Sequence, residues 1–212
     1  MIKNIIFDIG NVLVYYKLKD QFQIIKDILK LTKKSEIEKY HNLLFNQKLE
    51  NENCANYSYD SVIHSTLTTN KLTKTEEQNI KKMFANFAQT LKLIPENIKL
   101  FKQLCLNPKY KVYVLSDFTG EMYDSFENKN KFTKKANGKI ISGYVGINKP
   151  AKKIYELLLW KYNLKPKECI FIDDKIQNIK GGEKLGIKGI HYDYEKHKLD
   201  ELLKQFNINL SL

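Results

Sequence analysis

Three times in this chain an apolar run stops abruptly at polar and acidic side chains. The runs are Ile5-Ile6-Phe7-Asp8, Val112-Tyr113-Val114-Leu115-Ser116-Asp117 and Cys169-Ile170-Phe171-Ile172-Asp173-Asp174. Continuous apolarity of this kind suits strands of a parallel sheet covered by helices on both faces. The carboxyl ends of such strands lie side by side, and open α/β sheets build their sites there. The pattern therefore gathers Asp8, Ser116, Asp117, Asp173 and Asp174 at one edge of one layer. Burying an unpaired carboxylate is expensive, so a metal or a cationic side chain is expected beside Asp8. Gly10 follows at once and allows a close backbone approach, or a dihedral that other residues resist. An Asp that only caps the turn after a strand would look the same at this one position. The repetition is what favours chemistry.

The rest of the chain fills in around these runs. From 16 to 93 there is neither Pro nor Gly up to Pro95 and no strand-like run. Apolar residues recur there at helical spacing: Phe22, Ile25, Ile28 and Leu29; Ile37, Tyr40, Leu44 and Phe45; Tyr59, Val62, Ile63 and Thr66; Ile80, Met83, Phe84 and Phe87. This predicts a bundle of amphipathic helices, its aromatic stripes forming core. From 94 onward helices and strands alternate. Pro95-Glu96 suits a helix start, and the helix carries Ile98, Phe101, Leu104 and Cys105. Further helices are expected over 120–128, 150–162, 176–185 and 199–206, and a last strand over 187–192. Residues 129–139 read as a polar, mobile loop. Alternation implies a parallel sheet, and the first strand must join it, which makes the helical stretch an insertion.

The formal charge of +12 suggests a nucleic-acid surface at first sight, yet all 36 basic residues are Lys and none is Arg. Bidentate phosphate and guanine contacts favour Arg, and the lysines are spread along the chain, so nucleic acid is not expected as a partner. Cys54, Cys105 and Cys169 are too far apart for a zinc site or a disulfide framework. No leader pattern or membrane-length apolar run is visible, so no membrane partner and a cytoplasmic location are expected. His41, His64, His191 and His197 form no ligand spacing and read as surface or packing residues.

The chemistry follows from the strand ends. Carboxylates without matching arginines suit a hard cation such as Mg²⁺. Ser116, at a strand-to-helix turn with free backbone N–H groups, suits an anion. Lys149 begins a helix after a Gly-rich approach and supplies a compact positive charge. Cation, anion pocket and carboxylate together point to phosphoryl transfer through an acyl phosphate.

The order of these pieces resembles the haloacid dehalogenase (HAD) superfamily of phosphohydrolases. Phe7-Asp8-Ile9-Gly10-Asn11-Val12-Leu13-Val14 resembles its first motif, Val114-Leu115-Ser116 the second, and Lys149-Pro150 the third. Phe171-Ile172-Asp173-Asp174, with Asn178 four residues on, resembles the fourth. The resemblance covers the whole chain. It implies an α/β fold, a doubly wound parallel sheet (a Rossmann-like HAD core) with an inserted helical cap of type 1. The core would be 1–15 and 94–212, and the cap 16–93. It also implies Asp8 as nucleophile, with Asp8, the Gly10 carbonyl and Asp174 holding Mg²⁺ and Asp173 coordinating more weakly or through water. Ser116 and nearby N–H groups, together with Asp117 and Lys149, would line the phosphate site, Lys149 neutralising Asp8. Asn178 would orient the acidic pair or Lys149. The implied activity is a Mg²⁺-dependent phosphatase of a small phosphorylated metabolite.

Two departures from the family pattern bear on that activity. The family's second Asp, a general acid and base, is here Gly10, and losing such help costs about 10²–10⁴ in rate. Leaving groups of low pKa suffer less, an anomeric sugar phosphate among them. The Asp-x-Gly-Asn variant resembles a branch that contains sugar-phosphate phosphatases. Asp117 stands where Asn is common, and is either a substitute proton carrier or a cap of the next helix. A metal-independent haloacid dehalogenase and a catalytically weak phosphate-binding or regulatory protein stay open as alternatives. Tyr15 and Tyr16 are candidates for either a pocket wall or a packed hinge.

Overall fold

The computed structural model describes residues 1–15, 18–45 and 72–208. Its centre is a five-stranded, wholly parallel sheet. The strands in it are β1 (Asn4–Phe7), β4 (Lys111–Ser116), β5 (Gly138–Ile141), β6 (Cys169–Asp173) and β7 (Lys188–His191), in the order β5-β4-β1-β6-β7. Two short strands, β2 (Val14–Tyr15) and β3 (Lys92–Leu93), pair antiparallel outside it.

Every residue of β1 and β6 is buried, because both sheet faces are covered. Alternate residues divide between two cores, as the pleat requires. Ile5, Phe7, Val112, Val114, Ile170 and Ile172 join one apolar cluster with Phe101 and Leu104 of helix α4 (Pro95–Leu106). Ile6, Tyr113, Leu115 and Phe171 join the other with Ile154, Tyr155 and Leu158 of α7 (Lys152–Lys161) and Ile179 of α8 (Ile176–Glu183). The doubly wound architecture expected from the apolar runs is therefore present. A short helix α6 (Ser142–Val145) follows β5, and α9 (Leu199–Lys204) closes the chain against the first face.

Helices α1 (Leu18–Leu29), α2 (Lys34–Phe45) and α3 (Lys74–Thr90) lie between β2 and β3 in sequence. Ile25, Leu29, Ile37, Tyr40, Ile80 and Met83 form a third apolar cluster of their own. A capping box starts α3: Thr73 Oγ1 accepts the Glu76 N–H, and the Glu76 carboxylate accepts the Thr73 N–H at 2.7 Å. This helix lies along α5 (Gly120–Asn130). The expected helix with Tyr59, Val62, Ile63 and Thr66, together with His64, Cys54 and Tyr16, lies outside the described residues, as do the side chains of Leu44, Phe45, Phe84 and Phe87.

The structure corrects one expectation in the core. Residues 129–139 are not a polar, mobile loop. Phe132 begins a 3-10 turn (Phe132–Lys135) and is buried, with its ring edge-on to Phe101 and Phe126. Asn137 Oδ1 accepts the Val112 N–H, and residues from Gly138 onward form a fifth strand. No described helix is long and apolar enough to cross a membrane.

Candidate active site

The sheet register brings the strand ends together. Phe7 pairs with Val114 on one side and Ile172 on the other, so Asp8 emerges between Leu115 and Asp173. The Asp8 N–H donates to the Ile172 carbonyl, which carries the ladder one residue further and fixes the Asp8 backbone. Ser116 ends β4, buried, one residue beyond that level. Asp173 ends β6, and Asp174 begins the turn into α8.

Lys149 reaches in from the turn before α7, across a cis peptide bond to Pro150. Its Nζ lies 2.7 Å from Asp173 Oδ2, 3.0 Å from Asp8 Oδ1 and 3.1 Å from the Leu115 carbonyl. The side chain is 1% exposed. Burial alone would lower its pKa, but Asp8, Asp173 and Asp117 around it hold it above its ordinary value. Burial pushes the Asp8 carboxyl up to about 7, opposed by the attraction of Lys149 and helped by the negative charge of Asp173 and Asp117.

Asp173 is held by donors on both oxygens. Asn178 Nδ2 lies 3.0 Å from both of its oxygens, the Lys175 N–H donates to Oδ1 at 2.8 Å, and Lys149 donates to Oδ2. A carboxylate offers about four lone-pair positions, and three donor groups, one of them shared between both oxygens, take up most of them here. Asp174 differs: its carboxylate takes a 2.9 Å bond from Asn11 Nδ2, and its carbonyl accepts from His191 Nε2 at 2.9 Å. Burial raises the Asp174 carboxyl, and the Asn11 bond pulls it part of the way back.

Asp8, Asp173 and Asp174 each offer an oxygen within 4.8 Å of the others. An all-oxygen, all-carboxylate donor set with no His or Cys fits a hard divalent cation such as Mg²⁺ rather than zinc or copper. Asp117 Oδ1 accepts the Lys149 N–H at 3.1 Å, joining the turn after β4 to the turn before α7. Burial raises this carboxyl too, while Lys149 draws it down. Thr119, not Asp117, caps α5, its Oγ1 accepting the Met122 N–H.

Gly10 does not take the unusual dihedral, one of the two alternatives read for it. Asn11 does, at φ 51°, and a Cβ placed on Gly10 meets no atom within 4 Å. The Asn11 contact with Asp174 was not visible beforehand; the only signal was an Asn in the tight turn after the first carboxylate. Tyr15 stands in the β2–β3 junction, its ring stacked on Tyr194 at 5.1 Å. Among the histidines, His41 is buried against Gln21 and stacked on Phe22, a packing contact, while His197 is exposed and accepts the Asp193 N–H.

Comparison with known proteins agrees with this geometry. A family model described as haloacid dehalogenase-like hydrolase matches residues 2–186. A D-ribitol-5-phosphate phosphatase of Bacteroides thetaiotaomicron is 28% identical over 200 residues, 89% of this chain and 90% of that protein. Among solved structures, a dehalogenase superposes with TM-score 0.71 at 16% identity, over 98% of both chains. A HAD family enzyme of Bacteroides thetaiotaomicron, as its magnesium complex, superposes with TM-score 0.70 at 21% identity, over 96% of this chain and 98% of the other. At such identities the two structures speak for the fold alone, and the fold is common to a dehalogenase and a magnesium-binding enzyme.

Proposed function

Because the chain belongs to the haloacid dehalogenase-like hydrolase family, we propose that it is a phosphatase of small sugar-type phosphate monoesters, dependent on Mg²⁺ and working through an aspartyl-phosphate on Asp8. The observation that carries this reading is the Lys149 ammonium 3.0 Å from Asp8, inside a cluster of three carboxylates. A dehalogenase needs a nucleophilic Asp but no such cluster. The phosphatase relative matched over 89% of this chain supports the sugar-type ester.

In this reading Asp8, Asp174 and the Gly10 carbonyl would hold the cation, and Asp173, already engaged by three donors, would coordinate more weakly or through water. When bound, the cation supplies positive charge that offsets the phosphoryl oxygens. An Asp8 carboxylate oxygen attacks phosphorus, the bond from phosphorus to the ester oxygen breaks, and the alcohol leaves with a proton taken from solvent or from a site acid. Water then attacks the phosphorus of the aspartyl-phosphate, the bond to Asp8 breaks, and inorganic phosphate leaves with the carboxylate restored. Lys149 favours the ionised form of Asp8 against the burial that raises its pKa, and it faces the charge that builds on the phosphoryl group. Ser116 and the N–H groups after it hold the phosphate. Asn178 and Lys175 fix Asp173, and through it the Lys149 ammonium. Gly10 cannot carry a proton, so esters with good leaving groups should turn over best.

The segment 16–93 is proposed as a cap on the core formed by 1–15 and 94–212. It leaves and re-enters through the paired strands β2 and β3, a two-stranded junction suited to hinging. The apolar cluster of α1, α2 and α3 supports a unit with its own core.

The test is phosphate release from a panel of sugar phosphates and p-nitrophenyl phosphate, with Mg²⁺ or with EDTA, for wild type and Asp8→Asn. Release that needs Mg²⁺ and disappears in Asp8→Asn is expected. Halide release from a 2-haloacid that survives EDTA would overturn the reading in favour of dehalogenation.

A further inference from the structure

Asp173 and Asp174 are neighbours in sequence but are held in opposite ways. Asp173 is clamped by an ammonium, an amide and a backbone N–H. The Asp174 carboxylate has one hydrogen-bond donor among the described residues, the neutral carboxamide of Asn11 at 2.9 Å on Oδ2. That donor comes from the turn following Asp8, so one short segment carries both the first carboxylate and the group that orients the third. Asn11 occupies the left-handed region at φ 51°. Asn and Gly tolerate that conformation, and most other residues resist it. Gly would satisfy the backbone equally well but would leave Asp174 unheld. The backbone side of Asp174 is fixed independently, since His191 donates to its carbonyl.

We propose that Asn11 is a positioning residue for the divalent cation: its carboxamide holds the Asp174 carboxylate by one oxygen and leaves the other for the ion. A neutral donor suits this task. It orders the carboxylate without cancelling the charge that attracts the cation, as a lysine would. Partners of this kind, one shell out from a metal, commonly alter its affinity about 10–100-fold when removed. The inference rests on the metal-dependent reading above.

The variant that isolates the carboxamide is Asn11→Gly, which keeps the left-handed turn at no steric cost. Mn²⁺ binding is followed by the loss of its free EPR signal, for wild type, Asn11→Gly and Asp174→Asn, with thermal unfolding of each metal-free protein alongside. The expected result is Mn²⁺ binding weakened by about 10-fold or more in Asn11→Gly, with its metal-free unfolding temperature close to wild type. In turnover, the Mg²⁺ concentration for half-maximal rate should rise by a similar factor. Asn11→Gly binding Mn²⁺ as tightly as wild type, while Asp174→Asn binds it poorly, overturns the role of Asn11 and leaves the metal site standing. Equal, weak binding by wild type and Asp174→Asn overturns the metal reading itself, and this inference with it.

Discussion

Lys149 and Asp173 form an ion pair of 2.7 Å in which neither side chain is more than 1% exposed. The same ammonium reaches Asp8 at 3.0 Å, so one cation serves two buried carboxylates. Removing one member of a buried ion pair typically costs about 3–5 kcal/mol, since the remaining charge has no water to replace it. Lys149→Met keeps the apolar stem and removes the charge. It should lower stability by about that amount in urea unfolding at pH 7, and phosphate release should fall below detection. Wild-type stability in this variant would mean that the pair contributes nothing net.

Position 10 should accept a carboxylate. Its φ is not in the left-handed region, and a Cβ there meets no atom within 4 Å among the described residues. Gly10→Asp is therefore expected to fold with an unfolding temperature near wild type. A proton carrier at this point should raise turnover of primary alkyl phosphates more than that of p-nitrophenyl phosphate, whose leaving group needs little help. General acid–base catalysis is worth about 10²–10⁴ when well placed, so a tenfold gain in the alkyl-to-aryl rate ratio is a modest expectation. An unchanged ratio in a folded variant would show that Gly10 does not limit proton transfer.

The contrast between Gly10 and Asn11 shows where reading the sequence stops. An apolar run ending in Asp8 carries two messages at once, a buried strand and its end. The strand ends of β1, β4 and β6 were legible for that reason, and the carboxylate cluster with them. Which residue of a tight turn takes the left-handed conformation depends on where the turn must aim the chain, and the sequence offered Gly10 for it only as one of two alternatives. Strand β5 was hidden because Gly138 and Lys139 dilute its apolar pattern, and only Ile140 and Ile141 are buried. Phe132 was a lone aromatic among lysines, and its burial depends on Phe101 and Phe126, which are distant in sequence. Lys149 was marked by its Pro and the glycines before it, but its bond to the Leu115 carbonyl is a tertiary contact with no local trace.

Asn97 ties the turn after Asp8 to the end of the edge strand β7. Its buried carboxamide donates to the Val12 carbonyl at 2.6 Å and approaches the Tyr192 hydroxyl at 2.9 Å. Asn97→Ala leaves that carbonyl and that hydroxyl short of a partner inside the protein. A buried polar group left unpaired costs about 1–3 kcal/mol. The midpoint of urea unfolding should fall accordingly with an unchanged slope. Asn97→Asp should do at least as badly, because a carboxylate cannot donate to the Val12 carbonyl. If Asn97→Asp proved as stable as wild type, the bond to Val12 would not matter.

Glu127 should make the stability of the core depend on acid. It accepts from Tyr123, Thr133 and Lys139, the last at 2.6 and 2.7 Å, and so fastens the segment 131–139 to α5. Burial would raise its pKa, but the bonds from Lys139, Tyr123 and Thr133 outweigh burial and hold it below the ordinary 4.5. Between the lowered value and 4.5 the unfolded chain binds more protons than the folded one, so stability rises with pH across that window. The contribution is complete above the unfolded value and is lost as pH falls through the folded one. Glu127→Gln cannot titrate and keeps only part of the network. It should therefore be less stable than wild type at pH 7, and the gap between them should close as pH is lowered from 5 toward 3. Urea midpoints for both proteins across that range decide the matter: a gap that stays constant with pH would show that the Glu127 charge is not what holds this segment.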